Sequence, residues 1–90
     1  MTHTDPYAAA VAVAIQDFRD AAEKASPHLA YVLGDNLPGV GVSLAVLAKT
    51  SPTEWAESLR YIGAQYPSLT AAEILAVAAA ASDIFEGVLK

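Results

Sequence analysis

Hydrophobic residues recur along the chain every three or four positions, the spacing that places them on one face of an α-helix. β-branched residues are scattered and do not alternate with polar residues, as a half-buried strand would require. Alanine, the strongest helix former, accounts for 20 of the 90 residues. The pattern therefore predicts an all-α protein.

The expected helix starts carry clear local signals. Asp5-Pro6, Ser26-Pro27 and Ser51-Pro52 each pair a good N-cap residue with proline at the first helical position. Ser51 with Glu54, and Thr70 with Glu73, have capping-box spacing. These signals predict helices over about 6–25, 27–33, 37 or 40 to 49, 52–65 and 71–88, with Gly34 ending the second and Asn36 as a possible cap of the third.

Four main helices and one short helix in 90 residues, with no linker long enough to divide them, predict a compact single-domain bundle over residues 1–90. The periodicity also predicts the inward faces. On the first helix these positions are Tyr7, Val11, Ile15, Phe18, Ala22 and Ala25. On the fourth they are Trp55, Leu59, Ile62 and Tyr66, and on the fifth Ile74, Val77, Ala81, Ile84 or Phe85, and Val88.

The stretch "NLPGVGVSLAVLAKTSP", residues 36–52, holds the longest run without a charge, thirteen residues. It is apolar on every side, with Val40, Leu44 and Leu47 on one face, which predicts the buried central helix of the bundle. The pairs Gly39/Ser43 and Gly41/Ala45 are spaced to leave notches where other helices could cross. A membrane span needs about twenty apolar residues. We therefore expect a soluble protein with no membrane partner.

Charge is scarce for so small a domain. Hydrophobic residues make up 54% of the chain and charged residues 17%, against about 45–50% and 25% in typical proteins. Some apolar surface should stay exposed on a monomer, which predicts a protein partner. The net charge of −5, with only five dispersed cations, predicts no nucleic-acid binding.

The alanines concentrate in residues 8–25 and 71–81. Small side chains let helix axes approach closely, and alanine on all sides lets one face pack on the core and another on a second subunit. Helix propensity alone is the competing explanation. We predict a homo-oligomer or larger assembly, and the candidate interface residues are Ala9, Ala10, Val13, Ala76, Ala79 and Ala80.

Catalytic and metal-binding patterns are missing. The absence of cysteine excludes disulfides, thiol catalysis and cysteine-ligated metals. His3 and His28 lack a Glu-x-x-His partner, and Gly39-Val40-Gly41 lacks the third glycine and preceding strand of a dinucleotide site. Acidic pairs spaced i, i+3, such as Asp17/Asp20, suit either a divalent cation or a solvated helix face. We expect a non-enzymatic protein with no catalytic residue, metal site or cofactor.

One segment resembles a known family. "GVGVSLAVLAK" contains Ser43-Leu44, and the chain is small, acidic and helical, as are the acyl and peptidyl carrier proteins. Those are four-helix domains with Asp-Ser-Leu at the start of the second helix, whose serine carries phosphopantetheine. The resemblance covers two residues and bulk properties, and Val42 stands in the aspartate position. It implies phosphopantetheine attachment at Ser43.

The adjacent pair Arg60–Tyr61 lies beside the predicted inward stripe of the fourth helix, and such residues are enriched in interface hot spots. We therefore treat it as a candidate partner-binding site. The main hypothesis is an interaction or assembly subunit, bacterial or phage, in the cytoplasm, a virion or another intracellular assembly. The alternative is a small regulatory binder, antitoxin-like or anti-defence, that captures a larger host protein.

Overall fold

A computed structural model describes residues 5–88 and confirms the all-α bundle. The helices are α1 (Pro6–Ala25), α2 (Pro27–Leu33), α3 (Leu37–Thr50), α4 (Pro52–Gln65) and α5 (Ala71–Glu86), with a short 3-10 turn (Gly34–Asn36) between α2 and α3. No strand occurs in this part of the chain. The predicted boundaries agree with these, except that α3 ends one residue later than predicted, at Thr50, and α5 ends two residues before Val88. His3 lies outside the described residues.

The predicted caps form as expected at three helix starts. The side chains of Asp5, Ser26 and Ser51 accept hydrogen bonds from backbone amides two or three residues later, at 2.9, 3.1 and 3.3 Å. At α5, Thr70 and Glu73 make the full reciprocal capping box. These bonds satisfy amides that a helix start would otherwise leave unpaired.

Asn36 does not cap α3, so that prediction is wrong. Its side chain makes no capping bond, and its backbone is already in the helical region, with φ −81° and ψ −13°. An N-cap residue normally has extended backbone angles, which point its side chain at the first amides. Because the 3-10 turn leads directly into α3, no such extended residue precedes the helix.

Gly34 ends α2, as predicted, and has a φ of +51°. A Cβ at this position would meet nothing within 4 Å. The requirement for glycine therefore comes from the backbone conformation, which other residues adopt only at a cost.

The core lies between α3 and α5, which pack against each other and against α1 and α4. Its centre holds Phe18 and Phe85, whose ring centroids are 5.4 Å apart with a tilted orientation. Both rings are fully buried, together with Leu29, Leu44 and Val77. The predicted inward faces of α4 and α5 are confirmed, since all of those positions are buried or half-buried.

The predicted inward face of α1 is partly wrong. Phe18 and Ala22 are buried, but Tyr7 is 57% exposed and Ala25 is also exposed. The third fully buried residue is Ala14, so the inward row runs every four residues rather than through Tyr7. The reason is that the first turns of α1 extend beyond the helices that cover the rest of α1, and each residue from 6 to 10 is exposed.

The helix α3, predicted to be the buried central helix of the bundle, is covered on only part of its surface. Leu37, Gly41, Leu44 and Ala45 are buried. In contrast, Gly39, Ser43 and Val46 are exposed, Val46 by 40%. The helices α1, α4 and α5 contact α3, and these neighbours leave one strip of its surface uncovered.

The segment Pro27–Thr50, which comprises α2, the 3-10 turn and α3, is long and apolar enough to cross a membrane by length and composition alone. Core helices of soluble proteins meet the same criterion, and a third of the tested window is buried inside this fold. The backbone of Gly34 leaves the helical region within the segment, so the segment consists of two helices rather than one.

Candidate interaction surfaces

An apolar groove lies between α1 and α5. The two helices run antiparallel, as the hydrogen bond between Ser26 at the end of α1 and Glu73 near the start of α5 shows. The groove has a volume of about 450 Å³. Its lining residues, Ala9, Ala10, Val13, Ala14, Asp17, Ile84 and Val88, include a single charge. We call this the α1/α5 groove. It brings together Ala9, Ala10 and Val13, the three candidate interface residues on α1.

The three candidate residues on α5 do not all belong to this surface. Ala76, Ala80 and Ile84 follow one another every four residues, so the exposed Ala76 and the half-buried Ala80 continue the row that borders the groove. Ala79 lies about 100° around the helix from Ala80. It is exposed on the outer side of α5, apart from the α1/α5 groove.

Arg60 and Tyr61 are both exposed, but they border different depressions. Arg60 lies at an apolar groove between α4 and α5, with Leu59, Leu69 and Leu75. Tyr61, 65% exposed, lies on the other side of α4. Consecutive residues on a helix point in directions about 100° apart, so the two side chains face different depressions, and the Arg60–Tyr61 partner site stays a prediction.

Tyr61 contributes to a cleft of about 590 Å³ between α3 and α4. We call it the α3/α4 cleft. Its floor is apolar and its rim carries hydroxyl, amide and carboxylate groups. The lining residues are Asp35, Asn36, Gly39, Val40, Ser43, Leu44, Ser58, Tyr61, Ile62, Gln65 and Tyr66.

A polar cluster joins the α1–α2 junction to the start of α5. The hydroxyl of Ser26, only 3% exposed, donates to a carboxylate oxygen of Glu73. The other oxygen of Glu73 accepts from the amide of Thr70 at 2.9 Å. Beside them, His28 Nε2 lies 3.0 Å from Ser68 Oγ, so His28 is an exposed histidine with a structural partner.

These hydrogen bonds lower the pKa of Glu73 below its ordinary value. The largest cause is the bond from Ser26, followed by the backbone bond from Thr70, with smaller contributions from the Thr70 hydroxyl and the charge of His28. Each of these interactions favours the carboxylate over the neutral acid. The cluster is therefore a structural tie between helix ends that works best with Glu73 ionised.

Within residues 5–88, no group of three or more histidine, cysteine, aspartate or glutamate side chains lies close enough to hold a metal ion. Ser43, the residue singled out by the carrier-protein resemblance, is exposed in the α3/α4 cleft. It is the seventh residue of α3 rather than a residue at the helix start. The position required by the resemblance and the position observed therefore differ by more than one helical turn.

Sequence reasoning missed several residues of these surfaces. Ile84 and Val88 were assigned only to the core, although they also line the α1/α5 groove. Asp35 and Gln65 were not singled out, although both line the α3/α4 cleft. Their roles depend on which helices become neighbours, and no local spacing signals that.

Comparisons with protein-family models, with curated proteins and with solved structures found no match for this chain. What the surfaces do must therefore be inferred from their own chemistry.

Proposed function

We propose that this chain is a non-enzymatic assembly subunit that associates with copies of itself through the α1/α5 groove. The observation that carries the proposal is the exposed apolar first half of α1. No charge occurs from Pro6 to Gln16. Tyr7 and Val13 are 57% and 61% exposed, although fully burying a side chain such as valine is favourable by about 1.5–3 kcal/mol.

The composition of the whole chain supports the same proposal. Seventeen per cent charged residues leave few groups to cover the surface, and contiguous apolar patches on soluble proteins usually mark interaction sites. The groove carries only one charged lining residue, Asp17. Two copies could therefore meet there without bringing many like charges together, despite the net charge of −5.

Light scattering coupled to size-exclusion chromatography tests this proposal. The wild-type chain is expected to form a defined oligomer at high micromolar concentration, and Val13→Glu is expected to shift it to the monomer with unchanged helicity. Val46→Glu, on the exposed strip of α3, is the matched control and should leave the oligomer intact. A wild-type chain that stays monomeric would refute the proposal.

The α3/α4 cleft favours a second candidate function, that of a small regulatory binder that captures a larger protein. It combines an exposed tyrosine with an apolar floor, features typical of interface hot spots. This function predicts capture of a larger protein that is lost in Tyr61→Ala and retained in Val13→Glu. The opposite dependence would favour the α1/α5 groove.

A further inference from the structure

The fold does not require a glycine at position 39. It lies inside α3, where glycine is unfavourable because of its conformational freedom. Among the described residues only Gly34 has a positive φ, so the backbone at Gly39 does not require glycine. A Cβ there would meet nothing within 4 Å. Because glycine has no side chain, the wall of the α3/α4 cleft stays open at this position.

The only charge that lines the cleft is negative. Asp35 is its only charged lining residue, and no lysine or arginine lines it. Hydroxyl and amide groups of Asn36, Ser43 and Gln65 add hydrogen-bond acceptors, and donors as well, around the rim. Below them lies an apolar floor that includes the buried Leu44 and Ile62. Such a site is complementary to a cation carried on an apolar stem.

We propose that the α3/α4 cleft binds a protein segment that inserts one arginine side chain, flanked by apolar residues. The guanidinium group pairs with the Asp35 carboxylate, since charge-assisted bonds between these groups are strong and can be bidentate. The ring of Tyr61 offers a face for cation–π contact. The methylene stem covers the apolar floor, and the segment's backbone passes close to Gly39.

A protein segment fits this cleft better than a small molecule does. Small-molecule sites usually enclose most of the ligand surface. Here Asp35, Gly39, Ser43 and Gln65 are exposed along the rim, so a ligand would remain open to solvent on one side. The net charge of −5 also attracts a basic partner. The inference rests on the second proposed function, and it is independent of self-association through the α1/α5 groove.

A nuclear magnetic resonance titration of the ¹⁵N-labelled full chain tests the inference with two peptides. The probe is acetyl-Leu-Arg-Leu-amide, and its control replaces arginine with citrulline, which has nearly the same shape and no charge. The arginine peptide should shift the amide signals of Gly39, Ser43 and Tyr61 saturably, with a Kd below about 1 mM. The citrulline peptide should bind at least about tenfold more weakly, a loss of about 1.4 kcal/mol.

Matched variants distinguish peptide binding in the cleft from general electrostatic attraction to an acidic protein. Gly39→Leu fills the cleft from a position with open space around it, and it should weaken the arginine peptide about tenfold or more while the chain stays folded. Tyr61→Ala gives an independent variant at an exposed side chain. Asp35→Asn should weaken binding, whereas Asp17→Asn, which removes the same charge from the α1/α5 groove, should not.

Three results would overturn the inference: no saturable shifts with the arginine peptide, equal binding of the citrulline peptide, or equal losses in Asp35→Asn and Asp17→Asn. If a larger protein is captured through Tyr61 while the arginine peptide fails to bind, the second proposed function stands and the arginine inference fails. If neither binds, both fail.

Discussion

The ring of Phe18 lies where a side chain at Gly41 would have to be. A Cβ on Gly41 would come within 2.6 Å of Phe18 Cζ and 2.9 Å of Cδ2. The ring cannot easily move away, because it is fully buried and packs against Phe85. Gly41 therefore sets the distance at which α1 can approach α3.

Gly41→Ala is expected to destabilise the protein by about 1–3 kcal/mol, the usual cost of adding volume to a packed core. Gly39→Ala is the matched control two residues earlier on α3. It should instead stabilise the fold by about 0.4–1 kcal/mol, because it restricts the unfolded chain without a clash. Urea unfolding followed by circular dichroism measures both. Equal effects of the two substitutions would contradict the role of Phe18.

Gly34→Ala is expected to cost about 1–3 kcal/mol for a different reason. No atom would obstruct the added methyl group, but the φ of +51° is unfavourable for any residue with a Cβ. Thermal unfolding of the variant measures the effect. If its midpoint equals that of the wild type, the backbone at residue 34 does not depend on glycine.

Leu44→Asp should prevent stable folding, because it places an unpaired charge at a position that is 2% exposed. The expected loss exceeds about 4 kcal/mol, a large part of the stability of a typical small domain. Val46→Asp, on the exposed strip of the same helix, should change stability by about 0.5 kcal/mol or less. A stable, fully helical Leu44→Asp variant would show that Leu44 is not part of the core.

The stability contributed by Glu73 should depend on pH. Because its pKa is lowered in the folded state, the contribution is fully present above the ordinary glutamate pKa of about 4.3. It is lost as the pH falls through the lower, folded-state pKa. Glu73→Gln removes this titration, so the wild type should exceed the variant in stability at pH 7 by more than it does at pH 3.

Urea unfolding at both pH values checks this difference. Glu57→Gln, at an exposed position on α4, controls for the loss of one negative charge. A stability difference between wild type and Glu73→Gln that stays constant with pH would contradict the proposed tie.

The sequence predicted the helices well because their boundaries depend on local chemistry. Asp5, Ser26 and Ser51 identified three of the starts. Side-chain surroundings were harder to predict. Tyr7 and Ala14 lie on the same helix, but the packing of α2, α3 and α5 against α1 decides which of them is covered. The same holds for Gly39 and Gly41, whose different surroundings arise from contacts with another part of the chain.

Ser26 and Ser51 have almost the same backbone angles, with φ −156° at both and ψ of 94° and 91°. Each serine amide donates at 2.8 Å to the carbonyl four residues earlier, and each side chain caps the helix that follows. A single residue thus separates α1 from α2 and α3 from α4. The same Ser-Pro pair forms both connections, so an insertion at either one would change the angle between the two helices that it joins.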